Sequence, residues 1–182
     1  GGWIMLIDCG ANTDCKPQYL QQFGVMASAY MQSVMGVKNP RISLLNNGEE
    51  AEKGCELTKA AYKLLSAAPI NFAGNCEARE VLSGEFDALV CDGFVGNVVL
   101  KYTEGLASSM MAMLKAELTA DSKSKIGAAL SMGAFRRFKK KMDYKEVGGA
   151  PLLGINGCVI KAHGSSDVKA FASAIRQAEL FV

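Results

Sequence analysis

Short apolar runs alternate with helix-length amphipathic stretches along the whole of this 182-residue chain, and that alternation limits its possible folds more than any other feature. Residues 3–7 form an apolar run that ends at Asp8 and a Gly-Ala-Asn turn. Pro17 stands where a helix would begin, and Phe23, Met26, Ala27, Tyr30 and Val34 recur at helical spacing until Gly36 and Asn39-Pro40 stop it. Residues 41–45 read as a second strand, and residues 55–67 as a helix with Leu57, Ala60, Ala61, Leu64 and Leu65 on one face. A third strand at 70–73, a short helix at 77–82, a fourth strand at 87–91 and a long helix at 97–118 follow. The last strand is expected at 158–162 and the closing helix at 167–180. Short strands separated by helices favour right-handed crossovers, hence an α/β chain with a mostly parallel sheet covered on both faces, in three α/β/α layers.

In such sheets ligands bind outside the carboxyl ends of the strands. Five polar, glycine-bearing loops fall at predicted strand ends: DCGAN (8–12), NNGEEAEKG (46–54), GNCEA (74–78), CDGFVGN (91–97) and KAHGSSD (161–167). They are expected to converge on one rim.

The chain is long enough for one good core and is expected to form a single domain over 1–182. No apolar run approaches the ~20 residues of a membrane-spanning helix. The opening GGWIMLIDCGAN lacks a basic leader region and does not read as a signal peptide. Six dispersed cysteines and a single histidine fit reduced thiols in a cytosol, with neither a metal site nor a disulfide framework expected.

Each loop supports two readings. NNGEEAEKG sets Lys53 just ahead of a helix, whose free N–H groups and partial positive charge suit an anion cradle. Equally, Glu49, Glu50 and Glu52 suit a capping loop with Lys53 solvated. In CDGFVGN, Gly93 and Gly96 permit close backbone approach to a ligand, and Asn97 is suited either to cap the long helix or to hydrogen-bond an oxyanion. KAHGSSD holds the single histidine, His163, a general acid–base or a structural hydrogen-bonding group, followed by three good helix-start residues. A Ser-His-Asp triad within one short loop cannot easily close on itself. Dinucleotide, Walker and nucleophile-elbow motifs are absent from the sequence.

Charge is unevenly spread. Between Asp121 and Asp143 seven basic residues face two acids, a surplus of five, which leaves −3 on the remainder against the formal total of +2. Met132, Phe135, Phe138 and Met142 recur every three or four residues between these cations, as one apolar stripe with a basic border. Residues 126–134 are small and apolar enough for the first arm of a helical hairpin. The stripe suits docking on an anionic membrane surface, gripping an acidic protein partner, or packing on a subunit neighbour with the lysines solvated. Its charge density favours a surface-binding role, and nucleic acid, which would call for aromatic platforms, fits less well.

The runs DCGANTDCKPQYLQQFGVMAS, NPRISLLNNGEEAEKGCELTKAAY, CDGFVGNVVLK, YKEVGGAPLLGINGCVIKAHGSSD and AFASAIRQA resemble, in order and spacing, the acyl-ACP:phosphate acyltransferase family of bacterial phospholipid synthesis. The resemblance implies a homodimeric cytoplasmic enzyme, built like phosphotransacetylases and isopropylmalate-type dehydrogenases and needing neither cofactor nor metal. It makes acyl phosphate from acyl-acyl carrier protein and inorganic phosphate, and a membrane acyltransferase then passes the acyl group to glycerol 3-phosphate. Carried over by motif, Lys53 and Asn97 are the catalytic candidates. Asn12, Asn46, Gly48, Asp92, Gly93, Gly96, His163, Gly164 and Ser165 are the substrate-binding candidates. The basic hairpin at 119–146, with Phe135, Arg136, Arg137, Phe138, Lys139 and Lys140, fits peripheral contact with carrier protein or membrane. Family members are nearly twice this length, so the chain is expected to be a fragment lacking the amino-terminal half. The alternatives are a phosphotransacetylase acting on acyl-CoA, or a non-catalytic carrier-protein or membrane docking module.

Overall fold

Four short strands, β1 (Met5–Ile7), β2 (Ile42–Asn46), β3 (Phe72–Glu77) and β4 (Ala88–Val90), pair in parallel throughout, in the order β1-β4-β2-β3. The computed structural model describes residues 4–141, 149–162, 164 and 166–179, with the backbone alone of 139–141. The chain divides into two compact units, 1–103 and 104–182.

In the first unit, helix α1 (Pro17–Ser33) starts where Pro17 fixes a helical φ without removing a needed N–H, and buries Leu20, Phe23, Ala27 and Met31 along one face. Helix α2 (Glu56–Ser66) buries Ala61 and Leu65. The two helices pack closely because Gly24 of α1 meets Leu65 of α2, where a methyl group would lie 2.5 Å from the leucine Cδ2. Both helices contact the sheet. Ile42, Ser43, Leu44 and Leu45 of β2 are all buried. Neighbouring residues of a strand point to opposite faces, so both faces of this strand are covered. The mixed α/β architecture, a parallel sheet flanked by helices, is consistent with three α/β/α layers.

Several boundaries differ from expectation. β3 begins two residues later than expected and runs on through the stretch expected as the GNCEA loop, carried past Gly74 by a register irregularity opposite β2. The short helix is a single 3₁₀ turn at Ala78–Glu80, closed by a capping box between Glu77 and Glu80. Helix α3 (Gly93–Leu118) starts four residues before the expected position because Asp92, not Asn97, supplies the cap: its Oδ1 accepts the Val95 N–H at 2.8 Å.

The second unit holds α4 (Ser122–Leu130) and α5 (Met132–Lys141), with the break at Ser131, so the first arm spans 122–130 instead of 126–134. It also holds an antiparallel pair, β5 (Gly149–Pro151) with β6 (Ile160–Ala162), on which α6 (Val168–Glu179) packs through Ala170, Ser173 and Ala174. Asp167 caps α6, its Oδ1 accepting the Ala170 N–H at 3.0 Å. The last expected strand therefore joins a separate sheet, because its hydrogen-bonding partner is β5, a strand too short for its alternation to register in sequence. KAHGSSD thus begins within β6 of that second sheet, in the second unit.

Candidate active site

The carboxyl ends of β1, β4 and β2 are neighbours in the first unit's sheet, and the three loops that leave them are DCGAN, CDGFVGN and NNGEEAEKG. Adjacent strands lie about 4.8 Å apart, so these loops share one edge.

The first two loops are locked together. Asp8, buried at the end of β1, accepts hydrogen bonds from Ala11 N–H (3.0 Å), Asn12 N–H (2.6 Å) and the Asn12 side-chain amide (2.9 Å). Its own N–H donates to Cys91 O at 3.0 Å, and Gly93 N–H donates to Asn12 O at 2.7 Å. Gly93 and Gly96 are buried at this seam. A side chain on Gly93 would strike the Asn12 backbone and one on Gly96 the Asp8 carbonyl. Both glycines are thus required by the close backbone approach of the 8–12 loop. Asn97 is exposed, one turn into α3, and its side chain lies against Gly10, 3.7–4.0 Å from a Cβ placed there. Asn12 is exposed on the same loop.

The third loop is folded around Lys53. Lys53 N–H donates to Glu50 O at 3.1 Å, and Asn46 Nδ2 donates to Lys53 O at 3.1 Å. Asn46 Oδ1 also accepts the Asn47 N–H at 2.9 Å. Gly54 sits at φ +98°, a left-handed turn that admits glycine readily, and Gly48 is buried against the Lys53 stem. Of the acids, Glu49 reaches Arg79 at 3.9 Å, whereas Lys53 is exposed and makes no ion pair among the described residues. Cys55 precedes α2 without a side-chain cap. Its thiol is held below the ordinary value, chiefly by the Thr58 backbone N–H, against the opposing effect of partial burial. The start of α2 therefore favours negative charge.

The thiols beside the seam have the opposite character. Burial, with help from Asp8, pushes Cys9 up to about 11, and burial likewise raises Cys91 and Cys15. They are poor nucleophiles near neutral pH. No cluster of three or more metal-ligating side chains occurs among the described residues.

Asn12, Asn46, Gly48, Lys53, Asp92, Gly93, Gly96 and Asn97 thus all belong to the first unit, at strand ends, in the loops that follow them or in the first turn of α3. Gly164 belongs to the second unit, and His163 and Ser165 lie outside the described residues. Asp8 and Asn75, which hold the loops, were not singled out by sequence reading. The signal for Asp8 was its place as the first polar residue after an apolar strand; Asn75 had none.

A family profile described as "Fatty acid synthesis protein" matches residues 1–182. The chain belongs to this family. Among relatives of the fatty acid synthesis family chain, a protein named "Phosphate acyltransferase" from Clostridium botulinum (strain Loch Maree / Type A3) is 56% identical over 177 residues, covering 97% of this chain and 53% of the relative. Another of that name, from Clostridium perfringens (strain SM101 / Type A), is 56% identical over 181 residues, covering 99% of this chain and 53% of the relative. The chain spans about half the length of the relatives it matches.

Proposed function

We propose that this chain carries the phosphate- and thioester-handling edge of an acyltransferase that forms acyl phosphate from acyl-acyl carrier protein and inorganic phosphate in phospholipid synthesis. The observation that carries the reading is the placement of two exposed side chains at neighbouring strands. Lys53, without an ion pair among the described residues, is on the loop leaving β2, and the Asn97 amide is one turn into the helix that follows β4, the hydrogen-bonded neighbour of β2. Lys53 and the start of α2 hold phosphate and offset its charge. A phosphate oxygen attacks the thioester carbonyl carbon, forming a C–O bond, and the carbonyl oxygen becomes an oxyanion that the Asn97 amide stabilises. The oxyanion collapses, the C–S bond breaks, and the pantetheine thiolate leaves with the electron pair.

The name of the relatives supports acyl transfer involving phosphate, and the carrier-protein donor rests on the sequence resemblance. On α5, Arg136, Arg137 and Phe138 are exposed and Phe135 is half-buried, which supports a contact surface for carrier protein or an anionic membrane. No described helix is long and apolar enough to cross a membrane. The exposed Leu106, Met110 and Met113 of α3 support the homodimer reading. The product would be consumed by a membrane glycerol-3-phosphate acyltransferase, on peripheral, cytoplasmic attachment.

In the full-length protein, phosphate-dependent thioester loss should be faster with acyl-carrier protein than with acyl-CoA, and should drop by about two orders of magnitude in Lys53→Ala and in Asn97→Ala. Unchanged rates in both variants would reject the assignment. A preference for acyl-CoA would favour the phosphotransacetylase alternative.

A further inference from the structure

The conformation of Lys53 depends on a strand that does not bear it. Lys53 N–H and Asn75 Nδ2 both donate to the Glu50 carbonyl, at 3.1 and 2.7 Å. Asn75 lies in β3 and is only 4% exposed. Its Oδ1 is buried without a hydrogen-bond partner among the described residues. A buried amide half-satisfied among the described residues adds little stability, which points to its one hydrogen bond, to Glu50 O, as what it contributes.

Asn75 owes its register to a bulge. Ile42 pairs with Phe72 but Leu44 pairs with Asn75, so Ala73 and Gly74 together oppose the single residue Ser43. Without the extra residue Gly74 would face Leu44, and Asn75 would belong to the opposite face of the sheet. Gly74 sits at φ +92°, a conformation that side chains rarely adopt, and Ser43 Oγ donates to its carbonyl at 2.6 Å. Bulges recur beside functional sites because they re-aim one side chain. Here the re-aimed group reaches the turn that ends at Lys53.

We infer that Asn75, set by the Gly74 bulge, is a positioning residue that holds the Glu50–Lys53 turn in the shape that receives phosphate. This rests on the reading of Lys53 as the phosphate-holding group. The bonds act in series: Ser43 pins the bulge, the bulge directs Asn75, Asn75 fixes Glu50 O, and Glu50 O fixes the Lys53 backbone. The Lys53 carbonyl is held independently by Asn46, so loss of Asn75 frees one side of the turn and leaves the other tethered.

Steady-state kinetics of the full-length protein, with phosphate and acyl donor varied separately, test this. Asn75→Ala, and the nearly isosteric Asn75→Asp that removes the donor, should each raise KM for phosphate on the order of tenfold or more, with KM for the acyl donor and the thermal midpoint little changed. Gly74→Ala, strained at its positive φ, should raise KM for phosphate in the same way while also lowering the thermal midpoint, although it touches neither substrate. Lys53→Ala is the reference. If it abolishes phosphate dependence while both Asn75 variants keep the wild-type KM for phosphate, the positioning role is wrong and the Lys53 reading survives. If both Asn75 variants raise the two KM values alike and lower the thermal midpoint, Asn75 is a structural residue and the inference fails. Phosphate dependence left intact by Lys53→Ala would remove the reading beneath it.

Discussion

Asp8 and Asn12 are joined twice: the Asp8 carboxylate accepts both the backbone N–H and the side-chain amide of Asn12, at 2.6 and 2.9 Å. Because Asn12 O in turn accepts the Gly93 N–H, this pair couples the loop after β1 to the start of α3, which bears Asn97. Hydrogen bonds to a buried carboxylate are stronger than neutral ones. Asp8→Ala should therefore lower the unfolding free energy by about 3 kcal/mol in urea titration. A loss below about 1 kcal/mol would mean that the loop holds its shape without the carboxylate.

Cys55 should be the fastest thiol to alkylate. It is exposed and its thiol is lowered by the Thr58 backbone N–H, while burial pushes Cys76 up to about 12 and raises Cys9 and Cys91. Iodoacetamide labelling near pH 8, read by peptide mass spectrometry, should modify Cys55 first, with a pH midpoint below its ordinary 9.0. Added phosphate bound at this helix start should slow it. First labelling at Cys158, the other exposed thiol, would contradict the helix-start effect.

Asp87, just before β4, is tied to Arg41, just before β2. Its carboxylate accepts from Arg41 Nε at 3.0 Å and from the Arg41 backbone N–H at 2.8 Å. The Arg41 side chain holds this carboxyl below its ordinary 3.8, partly opposed by burial. A depressed folded-state value means that the unfolded chain binds the proton more readily. The stabilisation is therefore present above the ordinary value and is lost as pH falls through the lower, folded one. Arg41→Gln should reduce the thermal midpoint by a few degrees at pH 7, a difference that shrinks below about pH 4. A difference that does not change between pH 7 and pH 3 would exclude the ion pair as its source.

The α5 surface should bind anionic lipid. The cations between Phe135 and Phe138 each add about 1 kcal/mol of attraction near an anionic surface, and the aromatic rings anchor the contact. Phe135→Asp with Phe138→Asp should abolish sedimentation of the full-length protein with vesicles containing phosphatidylglycerol. Undiminished sedimentation would eliminate the membrane contact through this stripe.

Much of the first unit was legible in sequence because its signals are local. Pro17 marked the start of α1, and the apolar spacing of α2 located that helix to within one residue at each end. The loops after β1, β2 and β4 were recognisable as polar, glycine-bearing breaks at apolar strand ends. Asn97 was misjudged as a possible cap because Asp92 and Asn97 are both good capping residues, and which one caps depends on where the first helical turn closes. The break at Ser131 and the short β5 strand left too weak a periodicity to be placed.

Periodicity along the chain determined the order of strands and helices in the first unit, the mostly parallel α/β class, and the loops expected to carry chemistry. Tertiary structure decided that β4 inserts between β1 and β2, that β6 pairs with β5 in a second sheet, and that a bulge at Gly74 turns Asn75 toward the Lys53 loop. The reason is physical: apolar spacing reports only which face of a segment is buried. Strand order and register are set by hydrogen bonds between residues far apart in sequence, which local spacing does not encode.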